Sequence, residues 1–173
     1  TFIPMNGLTY DPHPQLNKDN PNVYMSMGIT AENVAKKFDI SRKEQQDFAI
    51  SSHTKANSAR ETNMFDNEIV SIMNNDQIIN KDGGIRPNTS HEILDGLKLA
   101  FDENGTVTAG TASPLTDGAS AVIVCEEEYA KKNNLNILAR IKSTAVVGCP
   151  PELMGLGPIN ASKKALKRAN LSI

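Results

Sequence analysis

The chain lacks an excess of charge of either sign. Its 173 residues hold 18 Lys+Arg against 20 Asp+Glu, a net charge of −2. That balance leaves no electrostatic reason to seek nucleic acid or an anionic membrane, so no nucleic-acid partner is expected. Long apolar runs are missing too. The longest, Ala121 to Cys125, falls far short of the about 20 residues a bilayer-spanning helix needs, so no integral membrane segment is expected. Cysteine is scarce. Two residues, Cys125 and Cys149, exclude a disulfide-dense scaffold and a four-cysteine zinc site, and point to a reducing compartment. The three histidines, His13, His53 and His91, are dispersed and include no i, i+4 pair, so no metal is expected. Initiator methionine and secretory signal are both absent. The chain opens on Thr1-Phe2-Ile3-Pro4 and closes just after a helix-like segment, which leads us to expect a piece of a longer protein.

What is present reads as an ordinary globular chain, 39% hydrophobic with 11 glycines. Residues 1–24 are rich in Pro, Asn and Asp and read as an irregular, extended loop. Thr30 offers a helix N-cap before Ala31 to Phe38, with Val34, Ala35 and Phe38 on one side. Ser41-Arg42-Lys43-Glu44 is a capping box, and no Pro or Gly interrupts residues 41–64, so a long helix follows. Phe48, Ala49, Ser52, Ala56 and Ala59 give it a stripe of mostly small residues. Ile69, Val70 and Ile72 suggest a short strand, and Asp82-Gly83-Gly84 a turn. Thr89-Ser90-His91-Glu92 reads as a second capping box.

The texture changes after residue 104. Gly105 to Pro114 are small residues almost throughout. Ala121 to Cys125 reads as a strand buried on both faces, with Cys125 as a small core residue. Glu126 to Lys132 reads as a short helix and Ile137 to Val147 as another strand. Ser162 to Ala169 reads as an amphipathic helix with Ala165, Leu166 and Ala169 on its apolar side. Helices alternating with strands, after a helical, loop-rich segment, predict an α/β fold: a layered core, present in part, with an inserted α+β subdomain.

Three local patterns fail as chemistry. Gly155-Leu156-Gly157-Pro158 lacks the third glycine of a dinucleotide fingerprint and reads as a structural turn. Ser52-His53-Thr54-Lys55 has the spacing of serine–lysine enzymes but lies inside the long helix without a Lys-Thr-Gly or Ser-Asp-Asn. Cys149 sits in a Gly-Cys-Pro-Pro turn, partly exposed, and has no neighbouring histidine to activate it. The strongest pattern is Thr108 to Gly118. Its small side chains allow a ligand to lie against the backbone, and Ser113 offers a hydroxyl. By itself it says only that the loop is tight, with or without a ligand on it.

That stretch and its surroundings resemble the thiolase family. The matching segments are Met27 to Ala35, Ile40 to Gln46, Gly84-Ile85-Arg86-Pro87, Gly105 to Gly118, Ala145 to Gly148 and Met154 to Pro158, in family order. Ile3-Pro4-Met5, His13-Pro14 and the Val-Val-Gly-Cys turn are similar to the branch that works in bacterial fatty acid β-oxidation complexes. The resemblance implies a thiolase-like layered α/β fold, with residues 1–110 as the family's coenzyme A-binding loop domain. Residues 111–136 would end the N-terminal domain and residues 137–173 would begin the C-terminal one. It implies a cofactor role for coenzyme A as acyl carrier, with Arg86 beside the nucleotide. Ser113, Phe101, Ala109 and Leu115 would lie along the pantetheine arm, and Met27 and Met154 at the acyl end.

Ser26 stands where biosynthetic thiolases have histidine, which implies the degradative branch and thiolytic cleavage of 3-ketoacyl-CoA. The biosynthetic acetoacetyl-CoA thiolase and a non-catalytic CoA-ester-binding or scaffolding module remain the alternatives. In the family, the nucleophilic cysteine lies upstream of residue 1. The Gly-His-Pro and Cys-x-Gly-x-Gly motifs lie downstream of residue 173. No catalytic residue is therefore expected in this chain, which alone should be inactive and, with sheet edges uncovered, should self-associate or leave its terminal segments poorly packed. The implied partners are acyl-CoA, further copies of the parent thiolase as a homo-oligomer, and a β-oxidation α subunit. The implied location is the bacterial cytoplasm.

Overall fold

A computed structural model describes residues 11–173. Ile3-Pro4-Met5 and the first part of the expected N-terminal loop lie outside the described residues. The chain divides into two compact units. The first runs to Pro114 and takes in Pro151–Leu153; the second comprises Leu115–Pro150 and Met154–Ile173.

In the first unit, α1 (Pro14–Asp19) and a 3₁₀ turn (Pro21–Tyr24) occupy part of the segment expected to be irregular. Each begins on a proline, whose fixed φ suits the first helical position and whose missing N–H costs nothing there. His13 caps α1, its Nδ1 accepting from the Leu16 amide at 3.3 Å. Helix α2 spans Met27–Lys37 and is capped by Ser26, not by Thr30. The Ser26 Oγ accepts from the Ile29 amide, while the Thr30 hydroxyl donates to the Met27 carbonyl at 2.8 Å and is buried. Two hydroxyls four residues apart compete for the cap, and the outer one takes it.

Helix α3 spans Arg42–Glu61 and opens on the expected capping box. The Ser41 amide donates to Glu44 at 2.8 Å, and the Glu44 amide donates to Ser41 Oγ at 3.2 Å. Its inward residue is not in the predicted stripe: Gln46 is buried, whereas Phe48 is 78% exposed. The strand expected from Ile69 begins only at Ile72. Strands β1 (Ile72–Asn74) and β2 (Gln77–Ile79) pair antiparallel, with Ile72 opposite Ile79. Asn75 and Asp76 both have positive φ (44° and 65°), the two-residue hairpin turn whose twist matches the strands.

Helix α4 (His91–Asp95) is capped by Ser90, one residue after the expected Thr89. A single Arg42 nitrogen, Nη2, ties α4 to α3 by donating to the carbonyls of Leu94, Asp95 and Leu97 at 2.9, 3.1 and 2.9 Å. Among the described residues of this unit, the buried ones are Ala35, Leu94 and Val107 with Thr30, Glu32, Gln46 and Thr108. A core so small and so polar depends on each polar group finding a partner.

In the second unit, α5 spans Glu127–Lys132 and α6 spans Gly157–Ala169, five residues longer at its start than expected. As expected, Ala165, Leu166 and Ala169 are half-buried while Lys163, Lys164, Lys167 and Arg168 are exposed. Helix α6 is tied to residues 143–146. The Ser143 hydroxyl donates to the Ala165 carbonyl at 2.6 Å, Lys164 to the Val146 carbonyl at 3.1 Å, and Arg168 to the Thr144 carbonyl at 2.6 Å.

The two strands expected here do not form a ladder among the described residues. Val122, Ile123 and Val124 are 87, 85 and 72% exposed, and Cys125 is exposed rather than in a core. Residues 142–149 do alternate: Ser143, Ala145, Val147 and Cys149 are half-buried, their neighbours exposed. That period of two marks an extended segment covered on one side. A strand needs a neighbour to exchange backbone hydrogen bonds, and β-branched composition alone does not provide one.

Four of the helices stop in one way. Asp39, Asn63, Asn134 and Asn170 have φ of 54, 58, 51 and 54° at the ends of α2, α3, α5 and α6. The next residue then donates back to an earlier carbonyl: Ile40 to Ala35, Met64 to Ala59, Leu135 to Ala130 and Leu171 to Leu166, each at 2.9 Å. This is the left-handed closure usually given to glycine, here made by Asp and Asn.

Candidate functional site

Apart from Arg86, the expected site residues of the first unit stand on two supports. The first is the start of α2. Met27 is 65% exposed there. Next to it, Gly28 carries the Phe101 ring so closely that a Cβ on Gly28 would overlap the ring. Phe101 and the first turn of α2 thus share one apolar surface, with Phe101 itself 44% exposed.

The second support holds residues 99–113. The chain turns at Asp102, whose carbonyl accepts from Gly105 at 3.0 Å and whose carboxylate accepts from the Asn104 amide at 2.9 Å. It then runs back beside itself. Leu99 and Thr108 form an antiparallel bridge, and the Ala100 amide donates to the Val107 carbonyl at 3.0 Å. The buried carboxylate of Glu32 receives the returning strand: it accepts from the Thr106 and Val107 amides and from the Thr106 hydroxyl. From α3, Gln45 donates to the same hydroxyl at 2.8 Å.

Thr108 is wholly buried, and its amide donates to Thr111 Oγ1 at 3.1 Å. Gly110 lies against Leu94 and Leu97 with no room for a side chain. The loop is fixed from beneath, and Ala109 and Ser113 remain on its exposed side.

Arg86 stands on a third segment. Its amide donates to His53 Nδ1 at 3.2 Å, and its carbonyl accepts from the Thr89 hydroxyl at 2.7 Å. The guanidinium is exposed, and no carboxylate pairs with it among the described residues. Leu115 and Met154 belong to the second unit, where they are 77 and 43% exposed. A hollow of about 760 Å³ lies between the end of α3 and residues 69–85, lined by Arg60, Asp66, Lys81, Asp82 and Ile85 among others. None of the expected site residues lines it. Among the described residues, no cluster of His, Cys, Asp and Glu could hold a metal, and no helix is long and apolar enough to cross a membrane.

The sequence reading missed Glu32, Gln45 and His53. For Glu32 a signal was there. Gly28, Glu32 and Ala35 fall at i, i+4 and i+7, so the carboxylate lies on the inward stripe of α2 where a charged residue needs partners. For His53 there was none, because its partner is a backbone amide 33 residues away.

The family profile described as "Thiolase, N-terminal domain" matches residues 16–128. Among curated relatives, the 3-ketoacyl-CoA thiolase of Photobacterium profundum is 46% identical over 99% of this chain and 46% of its own length. That of Bacillus subtilis is 41% identical over 99% of this chain and 47% of its own. The chain therefore spans about half the length of the curated relatives it matches. Among solved structures, human mitochondrial 3-ketoacyl-CoA thiolase in complex with CoA is similar over 88% of this chain and 39% of that one, with TM-score 0.84 and 42% identity. The dimeric peroxisomal thiolase of Saccharomyces cerevisiae is similar over 96% of this chain and 44% of that one, with TM-score 0.89 and 39% identity. These neighbours carry the expected fold class, a partial thiolase-like α/β architecture. With its profile match covering more than half the residues, and relatives this similar along nearly all of them, the chain belongs to the thiolase family.

Proposed function

We propose that this chain is the central segment of a degradative 3-ketoacyl-CoA thiolase and supplies part of the wall that holds coenzyme A. The observation that carries the reading is the loop 105–113. It is braced by Glu32 and Gln45 and by Leu94 and Leu97 beneath Gly110, and it leaves Ala109 and Ser113 exposed. The fit to the carrier is chemical. Phe101, Met27, Ala109 and Leu115 offer apolar contact to the pantetheine arm and acyl chain, with Met154 at the acyl end. Ser113 offers a hydroxyl to an amide of the arm. Arg86 offers an exposed guanidinium suited to a phosphate or an adenine face. Residues 1–110 would form the loop domain, 111–136 the end of the N-terminal domain and 137–173 the start of the C-terminal one.

In the reaction that this reading assigns to the whole protein, a cysteine thiolate outside this chain attacks C3 of the 3-ketoacyl-CoA. The C2–C3 bond breaks, its electron pair goes to the acetyl-CoA carbanion, and the thiol of a second cysteine, also outside this chain, protonates that carbon. The thiolate of a new coenzyme A then attacks the acyl-cysteine and releases the shortened acyl-CoA. This chain's residues orient and hold the carrier through both halves. The relatives' names support the degradative branch, and the dimeric state of the yeast enzyme supports a homo-oligomer. A β-oxidation α subunit and a bacterial cytoplasmic location complete the reading.

The test is to express the full reading frame that contains this segment and assay thiolysis of acetoacetyl-CoA and of a long-chain 3-ketoacyl-CoA. Turnover of both, with none by the 173-residue chain alone, is expected. Turnover of the short substrate only would move the assignment to the biosynthetic branch. Turnover by the isolated chain would overturn the division of labour.

A further inference from the structure

We propose that Glu32 is a positioning residue: it sets the height and tilt of the carrier-binding loop, and so governs affinity for coenzyme A without touching it. The proposal rests on the functional reading above and deepens it. Four observations carry it. Glu32 is 8% exposed, and no lysine or arginine pairs with it among the described residues. Its partners are instead the loop itself. The Thr106 amide lies 3.0 and 2.9 Å from the two carboxylate oxygens, the Thr106 hydroxyl 3.2 Å from Oε2, and the Val107 amide 2.8 Å from Oε1.

The third observation is Gly105. A Cβ there would overlap the Glu32 carboxylate, so the glycine and the acid fit as one unit. The fourth is placement. The anchored residues, 106 and 107, directly precede Thr108, after which the exposed Ala109 and Ser113 follow. A shift of the anchor therefore moves the ligand-facing residues as a body.

The chemistry of the site asks for a carboxylate. Two adjacent amides and a hydroxyl all present hydrogens to it, and two oxygens without hydrogens can accept them all. A carboxamide of the same shape would turn one NH₂ against those donors. In the holoenzyme, Glu32→Gln should raise the KM for coenzyme A roughly tenfold while kcat stays within about twofold, since misplacement of a binding group is felt in affinity when the reacting groups are elsewhere. Glu32→Ala and Gly105→Ala should give the same split.

Ser143→Ala is the control. It removes the 2.6 Å hydrogen bond from the Ser143 hydroxyl to the Ala165 carbonyl in the second unit, none to the loop, and should lower the melting temperature with the KM for coenzyme A unchanged. If Glu32→Ala does not fold, the isosteric Glu32→Gln carries the test. A KM for coenzyme A within about twofold of wild type in Glu32→Gln and Gly105→Ala would overturn the proposal, as would a fall in kcat alone. A wild-type enzyme whose activity does not depend on coenzyme A would overturn the functional reading instead, so the two failures are told apart.

Discussion

The first unit, around α2, α3 and residues 99–111, and the stretches 121–125 and 137–141 of the second unit are opposite ways of placing apolar and polar groups. The former buries few apolar residues, yet its buried Glu32, Gln46, Thr30 and Thr108 sit within a dense set of hydrogen bonds. Gln46 donates to Asp95 at 2.9 Å and meets His91 at 3.1 Å. The latter is rich in β-branched residues, yet leaves Val122, Ile123, Leu138 and Ile141 68–90% exposed. Order in this chain thus follows partners rather than hydrophobicity. A polar group with all its partners at hand is fixed, while an apolar strand without a neighbour gains nothing from its composition.

That contrast can be put at risk by measurement. The largest effect is expected from Leu94→Ala. Leu94 is 3% exposed and packs on Gly110, so the truncation should cost about 2–5 kcal/mol in denaturant unfolding. A loss below about 1 kcal/mol would mean that the first unit has no working apolar centre. Arg42→Ala comes next, at about 1–3 kcal/mol, because three helix-end carbonyls lose their donor. Ser41→Ala should cost about 1 kcal/mol by removing the cap of α3.

The pH dependence is smaller and has a definite sign. The Ser41 hydroxyl, then the Ser41 amide, hold the Glu44 carboxyl below its ordinary range. Lys43, and to a lesser degree His91, do the same for Asp47. A carboxylate depressed in the folded state contributes stability that is complete above its ordinary range and lost as pH falls through the folded value. Unfolding midpoints should therefore fall as the pH drops below about 4. Ser41→Ala should flatten that decline, and an unchanged slope would count against the capping box as its source.

The smallest effect on stability is expected from Val122→Lys, within about 0.5 kcal/mol because the side chain is already in solvent. Self-association of the 173-residue chain, followed by sedimentation, should weaken in the same variant. If the unfolding free energy instead drops by several kcal/mol, residues 121–125 have a partner and the contrast between the two regions fails.

Legibility in the sequence divided along the same line. The capping box at Ser41 was readable because all of its parts lie within four residues. Thr30 and Thr89 were displaced as caps by Ser26 and Ser90, since rival hydroxyls nearby make the choice depend on geometry rather than residue type. The strands at 121–125 and 137–147 were read from composition, which reports a preference for a pleated surface but not the presence of one. For the site, the small-residue loop at 105–113 was visible as a pattern. Its supports at Glu32 and Gln45 act across 61 to 75 residues, so helical spacing marks Glu32 as inward but cannot name the partner it holds.

The left-handed closures at Asp39, Asn63, Asn134 and Asn170 carry a practical consequence. Each stop is spelled the same way, a short acid or amide followed by a bulky aliphatic or thioether residue: Ile40, Met64, Leu135 and Leu171. Length of the preceding rod is then editable at one letter. Writing valine at position 63 makes the reversal costly by about 1–2 kcal/mol and favours another turn of α3. Writing glycine there keeps the reversal and removes its steric toll. The punctuation of these helices is thus an independent handle on where each one releases the chain.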